Sequence, residues 1–213
     1  MWSNRGTAMP AHSPLLIVIS APSGAGKTTL CRNLLEADPR VTRAITCTTR
    51  PPRPGEQPGL DYHFLTEEDF QARVADGKFL EHATVYGNCY GTLKGEVKGR
   101  LERGGDVLLN IDVQGAASVR REAASDPVLR GAVCSVFLTP ATVQELEGRL
   151  RGRGQDAPEV IQRRLAVARQ ELARWEEFDY LLISDTPAED LRRLQVIVEA
   201  EKMRRHRSEL PQY

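Results

Sequence analysis

The chain alternates short, mainly apolar runs with longer amphipathic stretches. The first run covers residues 15–19, where every position is Leu, Ile or Val. A continuous apolar run of this length, without alternation, is typical of a strand buried on both faces of a parallel sheet. Similar runs occur at residues 44–47, 107–111, 133–138 and 180–183. Because helix-like segments lie between these runs, the pattern predicts a parallel β-sheet with helices on both faces.

Two late helices carry clear signals. Within residues 156–175, apolar side chains recur every three to four positions, as expected of one buried helix face. They are Ile161, Leu165, Ala168, Leu172 and Trp175. Asp156 and Glu159 flank Pro158 at the spacing of a capping box. Thr186, Pro187 and Glu189 predict the start of the last helix, with Leu191, Leu194 and Val198 on its buried face.

Two stretches break the alternation of strands and helices. Residues 51–59 are dense in Pro and Gly, and residues 149–155 are rich in Gly and Arg. Neither composition suits a core element, so we expect both to be loops. In sheets of this kind ligands bind at the carboxyl edge, and we therefore expect both loops to lie there.

Composition narrows the class of protein. With 29 basic and 29 acidic residues the formal net charge is zero, so no global basic field attracts nucleic acid. The four cysteines are widely spaced, which predicts reduced thiols in the cytoplasm and neither a zinc site nor a disulfide framework. The longest apolar run is too short to span a membrane. We expect residues 1–14 to be a flexible tail, and we expect neither nucleic-acid nor membrane partners.

A phosphate-binding loop follows the first strand. Gly24, Gly26, Lys27 and Thr28 open a helical stretch directly after it, which is the context this motif requires. Glycines let successive N–H groups point at one anion, and the helix N-terminus favours negative charge. Together with the alternating pattern, the loop predicts a P-loop NTPase fold of three layers, α/β/α. A glycine-rich turn without a ligand is the simpler alternative, which the order of strand, loop and helix disfavours.

The residues that we expect to bind ATP are those of the whole loop. They are Ala21, Pro22, Ser23, Gly24, Ala25, Gly26, Lys27 and Thr28. Lys27 would reach the β and γ phosphates, and the Thr28 hydroxyl would bind Mg²⁺. Ala21 stands where the usual pattern has its first glycine. The loop indicates a nucleotide, but it does not decide between a GTPase, an ATPase and a small-molecule kinase.

Several ordered segments resemble guanylate kinases of the bacterial type. The phosphate loop is one, and the most specific is the stretch from Thr48 to Glu56 with residues 59–64 after it. Further matches are residues 79–81, 86–92, 111–115, 149–154 and 162–165. The resemblance runs from about residue 15 to residue 207. It implies a core of residues 15–45, 93–140 and 179–213, a GMP-binding insertion of residues 46–92 and a mobile lid of residues 141–178.

The resemblance also implies which residues bind GMP. Its phosphate would be held by two arginines and two tyrosines, namely Arg50, Arg53, Tyr62 and Tyr90. Its base would contact two carboxylates and two hydroxyls, namely Glu81, Asp112, Thr46 and Thr92. Guanine presents N1–H and an exocyclic amino group as donors, whereas adenine presents neither donor at these positions. Carboxylates facing the base would therefore accept from guanine and reject adenine.

The implied reaction transfers a phosphoryl group from ATP to GMP, giving ADP and GDP. The acceptor is already a phosphate oxygen, so positioning and charge stabilisation suffice without a general base. By resemblance the catalytic residues are Lys27 and three lid arginines, Arg149, Arg153 and Arg164. Mg²⁺ would accompany ATP. Closure of the lid would exclude water.

Two positions depart from the family pattern, and two alternatives stay open. Asn110 stands where the family usually has an acidic residue, and Ser184 replaces an asparagine near the adenine of ATP. The first alternative is a non-catalytic binding module of the guanylate kinase type, which the complete phosphate loop disfavours. The second is a kinase of another small phosphate ester, which Glu81 and Asp112 disfavour. The chain is expected to be a monomer or a homodimer.

Overall fold

Five parallel strands form the central sheet. The computed structural model describes residues 13–85, 87–152 and 158–208. The strands are β1 (Leu16–Ser20), β2 (Val41–Arg43), β7 (Asp106–Asn110), β8 (Val133–Thr139) and β9 (Tyr180–Ile183). Their order is β2-β7-β1-β8-β9, and every pairing is parallel. This confirms the predicted parallel sheet.

Helices cover both faces of this sheet. They are α1 (Lys27–Ala37), α3 (Lys94–Glu102), α4 (Val113–Ser125), α5 (Pro127–Ala132), α6 (Val143–Arg151), α7 (Pro158–Leu172) and α8 (Pro187–Lys202). Side chains of β1 alternate between the faces, so Ile17 and Ile19 pack in a core with α1 and α8. Leu16 and Val18 pack on the opposite face with α3 and α4. The result is the predicted three-layer arrangement.

A smaller mixed sheet lies between β2 and α3 in the chain. It contains β3 (Cys47–Thr48), β4 (His63–Phe64), β5 (Phe79–Val85) and β6 (Asn88–Leu93), with α2 (Glu67–Ala75) beside it. It has its own core, in which the rings of Phe70 and Phe79 stack 4.5 Å apart. Because α4 packs against β5, side chains of β5 face the N-terminus of that helix.

Some sequence expectations need correction. The strand predicted at residues 44–47 is wrong except for Cys47, because the edge strand β2 ends at Arg43 and the chain then leaves the main sheet. The loop predicted at residues 149–155 is wrong in its first part. Residues 149–151 belong to α6, and Leu150 is fully buried beside Gly24.

The late helices follow the predicted pattern with one exception. Ile161, Leu165 and Ala168 on α7 are buried as expected, but Trp175 lies in a 3₁₀ turn beyond this helix and is 43% exposed. The Thr186 hydroxyl accepts the N–H of Glu189 at the start of α8, as predicted. Asp156 and most of the predicted tail, residues 1–12, lie outside the described residues. No helix in the described part has the length and apolar character needed to cross a bilayer.

Candidate active site

The phosphate loop lies at the carboxyl end of β1 and leads into the N-terminus of α1. Gly24 and Gly26 have φ angles of +95° and +101°, a backbone region that glycine adopts without strain. The loop borders a cavity of about 320 Å³, which we call the phosphate cavity. It is lined by Ala21, Pro22, Ser23, Gly24, Gly26, Lys27, Thr28, Thr29, Asp112 and Glu171. All but one of the predicted ATP-binding residues therefore border one space, and Ala25 is buried behind the loop.

Lys27 lies at the base of this cavity. Its ammonium group donates a hydrogen bond to the carbonyl oxygen of Ile111 at 2.7 Å. Burial lowers the pKa of Lys27, and the nearby carboxylates of Asp112, Glu171 and Glu81 act in the opposite direction. A half-buried ammonium group that lines a cavity is suited to bind an anion there.

A second cavity, of about 220 Å³, adjoins the first and shares Lys27 and Asp112 with it. We call it the acidic cavity. Its other lining residues are Thr46, Tyr62, Glu81, Ala83, Val85, Tyr90, Asn110 and Ile111. Five of the eight residues predicted to bind GMP therefore line one cavity. They come from β5, β6 and the loops before β3, β4 and α4.

Glu81 is a buried carboxylate of the acidic cavity. It is only 7% exposed, and its Oε1 accepts the hydroxyl of Thr92 at 2.7 Å. Burial raises the pKa of Glu81, and repulsion from Asp112 adds to this while the Thr92 hydrogen bond opposes it. Thr92 thus contacts the predicted base-reading carboxylate and is not itself a lining residue of the cavity.

Asp112 caps helix α4. Its Oδ1 accepts the N–H of Gly115 at 2.7 Å, which fixes the carboxylate at the border of both cavities. Gly115 has no side chain at the point where Glu81 approaches. A Cβ there would lie 3.1 Å from Oε2 of Glu81 and 3.4 Å from Oδ1 of Asp112. The close approach of Glu81 to α4 therefore depends on glycine at this position.

Arg50 approaches the two tyrosines of the acidic cavity. Its guanidinium lies 5.5 Å from the ring centroid of Tyr62 and donates to Glu56 at 2.8 Å. The rings of Tyr62 and Tyr90 meet edge to face, 6.3 Å apart. The side chain of Arg53 is exposed, and only its backbone N–H contacts Glu56. Glu56 ends the proline-rich stretch that carries the resemblance, but the sequence pattern gave it no role of its own.

A third cavity, of about 220 Å³, lies on the other side of the phosphate loop and shares Gly26 and Thr29 with the phosphate cavity. We call it the lid cavity. Arg149 of α6 lines it and donates to the carbonyl of Ala25 at 3.2 Å and to the hydroxyl of Ser184 at 3.1 Å. Ser184 in turn donates to the buried carboxylate of Asp190 at 2.8 Å, a residue that the sequence analysis did not single out.

The structure describes only one of the other two predicted lid arginines. Arg164 is half-buried on α7 and is not among the residues that line the three cavities. Arg153 lies outside the described residues. Of the three predicted lid arginines, the structure thus brings Arg149 to the phosphate loop.

The oxygen atoms that line the phosphate cavity are suited to bind a hydrated divalent cation. Thr28 offers a hydroxyl, Asp112 and Glu171 offer carboxylates, and Oε2 of Glu171 is buried without a hydrogen-bond partner among the described residues. In the same part of the chain, no three His, Cys, Asp or Glu side chains are grouped as a metal cage. Mg²⁺ usually keeps several waters and binds through few protein ligands together with substrate phosphates, so the donor set fits this ion.

A glycine-rich loop at the carboxyl end of a parallel strand, with a half-buried lysine and an adjoining acidic cavity, defines a P-loop nucleotide kinase. Comparison with known proteins gives the family. Residues 13–201 match the guanylate kinase family. The curated guanylate kinase of Alkalilimnicola ehrlichii is 48% identical over 91% of this chain and 92% of its own length. That of Paramagnetospirillum magneticum is 46% identical over 91% and 87%.

A solved structure agrees with these relatives. The crystal structure of guanylate kinase from Anaplasma phagocytophilum matches with a TM-score of 0.72 and 29% sequence identity, covering 94% of this chain and 93% of that one. The chain belongs to the guanylate kinase family, and it is a phosphotransferase.

Proposed function

We propose that the three adjoining cavities bind GMP and ATP end to end, and that the chain transfers the γ-phosphoryl group of ATP to GMP. The observation that carries this proposal is the pair of carboxylates, Glu81 and Asp112, in a cavity that shares Lys27 with the phosphate loop. ATP-dependent phosphorylation of GMP is the reaction of the guanylate kinase family. The products are ADP and GDP.

The acidic cavity is our proposed site for the base and phosphate of GMP. Glu81 and Asp112 accept hydrogen bonds from N1–H and the exocyclic amino group of guanine. Thr46 adds a hydroxyl, and Thr92 holds Glu81 in place. With adenine the carboxylate oxygens that face the base would be left without a donor from it, which costs about 1–3 kcal/mol or more for each charged acceptor. The cavity therefore selects guanine through the cost of the wrong base.

Arg50, Arg53, Tyr62 and Tyr90 are our proposed ligands of the GMP phosphate. Arg50 is already beside both tyrosines, and Glu56 neutralises it in the absence of substrate. A phosphate dianion would attract the guanidinium more strongly than one carboxylate does. Arg53 is exposed on the same proline-rich loop and is available to bind the phosphate together with Arg50.

The phosphate loop, Lys27 and Thr28 are our proposed site for the triphosphate of ATP, and the lid cavity receives its adenosine end. Backbone N–H groups of the loop and the ammonium of Lys27 stabilise the charge that shifts between the two nucleotides. Mg²⁺, bound with ATP through the Thr28 hydroxyl, would supply further positive charge to the phosphates. Arg149, with Arg153 and Arg164, would close over the phosphates from the lid.

The division of the chain that we propose assigns one role to each part. A core of residues 15–45, 93–140 and 179–213 carries the ATP site, residues 46–92 carry the GMP site, and residues 141–178 form the lid. All four cysteines are free and buried, which supports a reducing, cytoplasmic compartment for the enzyme.

The test is ADP production from ATP with GMP, AMP, CMP or UMP as the acceptor, for wild type and Glu81→Gln. We expect turnover with GMP alone, and a loss of kcat/KM for GMP of about 10–150-fold in the variant, as for one hydrogen bond to a charged group. Glu68→Gln is the matched control, because Glu68 is an exposed carboxylate of the same insertion.

Four outcomes would contradict parts of this proposal. Equal turnover of AMP and GMP would exclude guanine selection, and an unaffected Glu81→Gln variant would exclude Glu81 as the base reader. ATP binding without turnover of any monophosphate would point to a kinase of another phosphate ester. A folded protein that does not bind ATP would support the non-catalytic module.

A further inference from the structure

Glu171 places a carboxylate in the phosphate cavity. It lies in the last turn of α7 and lines the cavity together with the phosphate loop and Asp112. Its Oε2 is buried and accepts no hydrogen bond from any described residue. No motif of the sequence singles out this position. A buried carboxylate oxygen without a donor is costly unless a ligand completes it.

The charges around Glu171 indicate that a ligand completing its carboxylate would be a cation. Burial raises the pKa of Glu171, Asp112 acts in the same direction, and Lys27 and the backbone N–H of Ser23 oppose them. The Lys27 ammonium donates to Ile111 and does not donate to Glu171 in this conformation. The cavity is thus lined by two carboxylates and one ammonium group. A second cation would offset the repulsion between the two carboxylates.

A triphosphate bound in this cavity would lie beside Glu171, which lines it. Like charges at contact distance repel, and the repulsion is larger in a partly buried site than in water. The free nucleotide brings more negative charge than its complex with a divalent cation. The cation also offers positive charge to the unpaired oxygen of Glu171. Both effects favour the metal complex over the free nucleotide.

We propose that Glu171 is a specificity-determining residue that makes the phosphate cavity selective for ATP carrying a divalent cation. This inference rests on the proposed role of the phosphate cavity as the ATP site. It gives Glu171 a role that neither Thr28 nor Lys27 can perform, because a hydroxyl carries no charge and an ammonium attracts both forms of the nucleotide.

The test compares two dissociation constants measured by calorimetry without GMP. A non-hydrolysable imido analogue of ATP is titrated into the full chain, once with excess Mg²⁺ and once with a chelator. Wild type should bind the metal complex more tightly. In Glu171→Gln we expect the ratio of the two constants to fall by about tenfold, which corresponds to removing one charge near a polyanion.

Matched variants separate this effect from others. Glu176→Gln removes the same charge from an exposed position just beyond α7 and should leave the ratio as in wild type. Glu171→Asp keeps the charge and should retain most of the preference, which checks that the change follows charge and not folding. Thermal unfolding confirms that each variant is folded before it is titrated.

The outcomes are distinct. A Glu171→Gln variant that binds the analogue with the wild-type ratio overturns the inference, even if both constants weaken equally, and leaves the ATP site in place. Equal effects of the Glu171 and Glu176 variants also overturn it, because a general loss of charge would then explain the result. A wild-type chain that binds neither form overturns the proposed ATP site, and the inference with it.

Discussion

Replacing Gly115 with alanine should impair recognition of GMP while leaving the fold intact. Gly115 lies in the first turn of α4 and is buried against the acidic cavity. An added Cβ would lie 3.1 Å from Oε2 of Glu81 and 3.2 Å from Cβ of Ile111. These distances are shorter than ordinary van der Waals contact, so the Glu81 carboxylate must move. Its Oε1 is held by Thr92, so movement of one oxygen strains the contact of the other.

The expected rise in KM follows from the proposed hydrogen bond between guanine and Glu81, which the added methyl group would shift. A hydrogen bond to a charged group contributes about 1.5–3 kcal/mol, and a shift of the acceptor weakens it without abolishing it. We therefore expect KM for GMP to rise about 5–30-fold in Gly115→Ala. Alanine is favoured over glycine in a helix by about 0.8–1 kcal/mol, which offsets the local crowding. The free energy of unfolding should thus change by less than about 1 kcal/mol.

The assay is ADP production at varied GMP, followed by thermal unfolding of the same samples. Gly95→Ala is the matched control, since Gly95 also lies in the first turn of a helix but an added Cβ meets nothing within 4 Å. It should gain stability and keep the wild-type KM. If Gly115→Ala also keeps the wild-type KM, the approach of Glu81 to α4 does not position the base reader.

Three further predictions concern charged groups. Lys27→Met should lower kcat by about 10²–10³-fold, yet it should not destabilise the fold in thermal unfolding, because burial lowers the pKa of Lys27 and so disfavours its charge. Lys202→Met should lower the free energy of unfolding, measured with a chemical denaturant, by about 3–5 kcal/mol, because it leaves buried Asp106 without its partner at 2.7 Å. The control Lys78→Met removes an exposed ion pair and should lower it by under about 1 kcal/mol. Glu81→Gln should be more stable than wild type at neutral pH, because a raised pKa means that the folded state binds the proton more tightly than the unfolded chain. The difference in the free energy of unfolding between Glu81→Gln and wild type should vanish as the pH falls to the usual range of carboxyl pKa values. A difference that grows at low pH would refute the raised pKa of Glu81.

Local patterns predicted the parts of the fold that depend on neighbours in the chain. The run at residues 15–19 became β1, and the loop after it has the backbone that Gly24 and Gly26 allow. The start of α8 followed from Thr186 and Glu189. These features are decided within a few residues, because burial on both faces and helix capping require only adjacent positions.

The parts that sequence reasoning missed depend on distant partners. Leu150 is buried because it packs beside Gly24, and nothing in an arginine-rich segment indicates that contact. Glu171 reaches the phosphate cavity through the packing of α7, far along the chain from the loop. Asp190 enters the lid cavity through Ser184. A carboxylate on an amphipathic helix is most often a solvated residue, so its pattern alone could not distinguish these two.

The arrangement of Asp112 explains why the two proposed substrate sites act as one. Its Oδ1 caps α4 through Gly115, so the carboxylate cannot rotate away without uncapping the helix. The same residue and Lys27 border both the acidic and the phosphate cavity. The opposite charges of these two side chains are therefore fixed where the two cavities meet. In the proposed function, an acceptor bound against Asp112 would be held next to the ammonium that neutralises the transferred group. Such prior positioning supplies much of the rate in phosphoryl transfer.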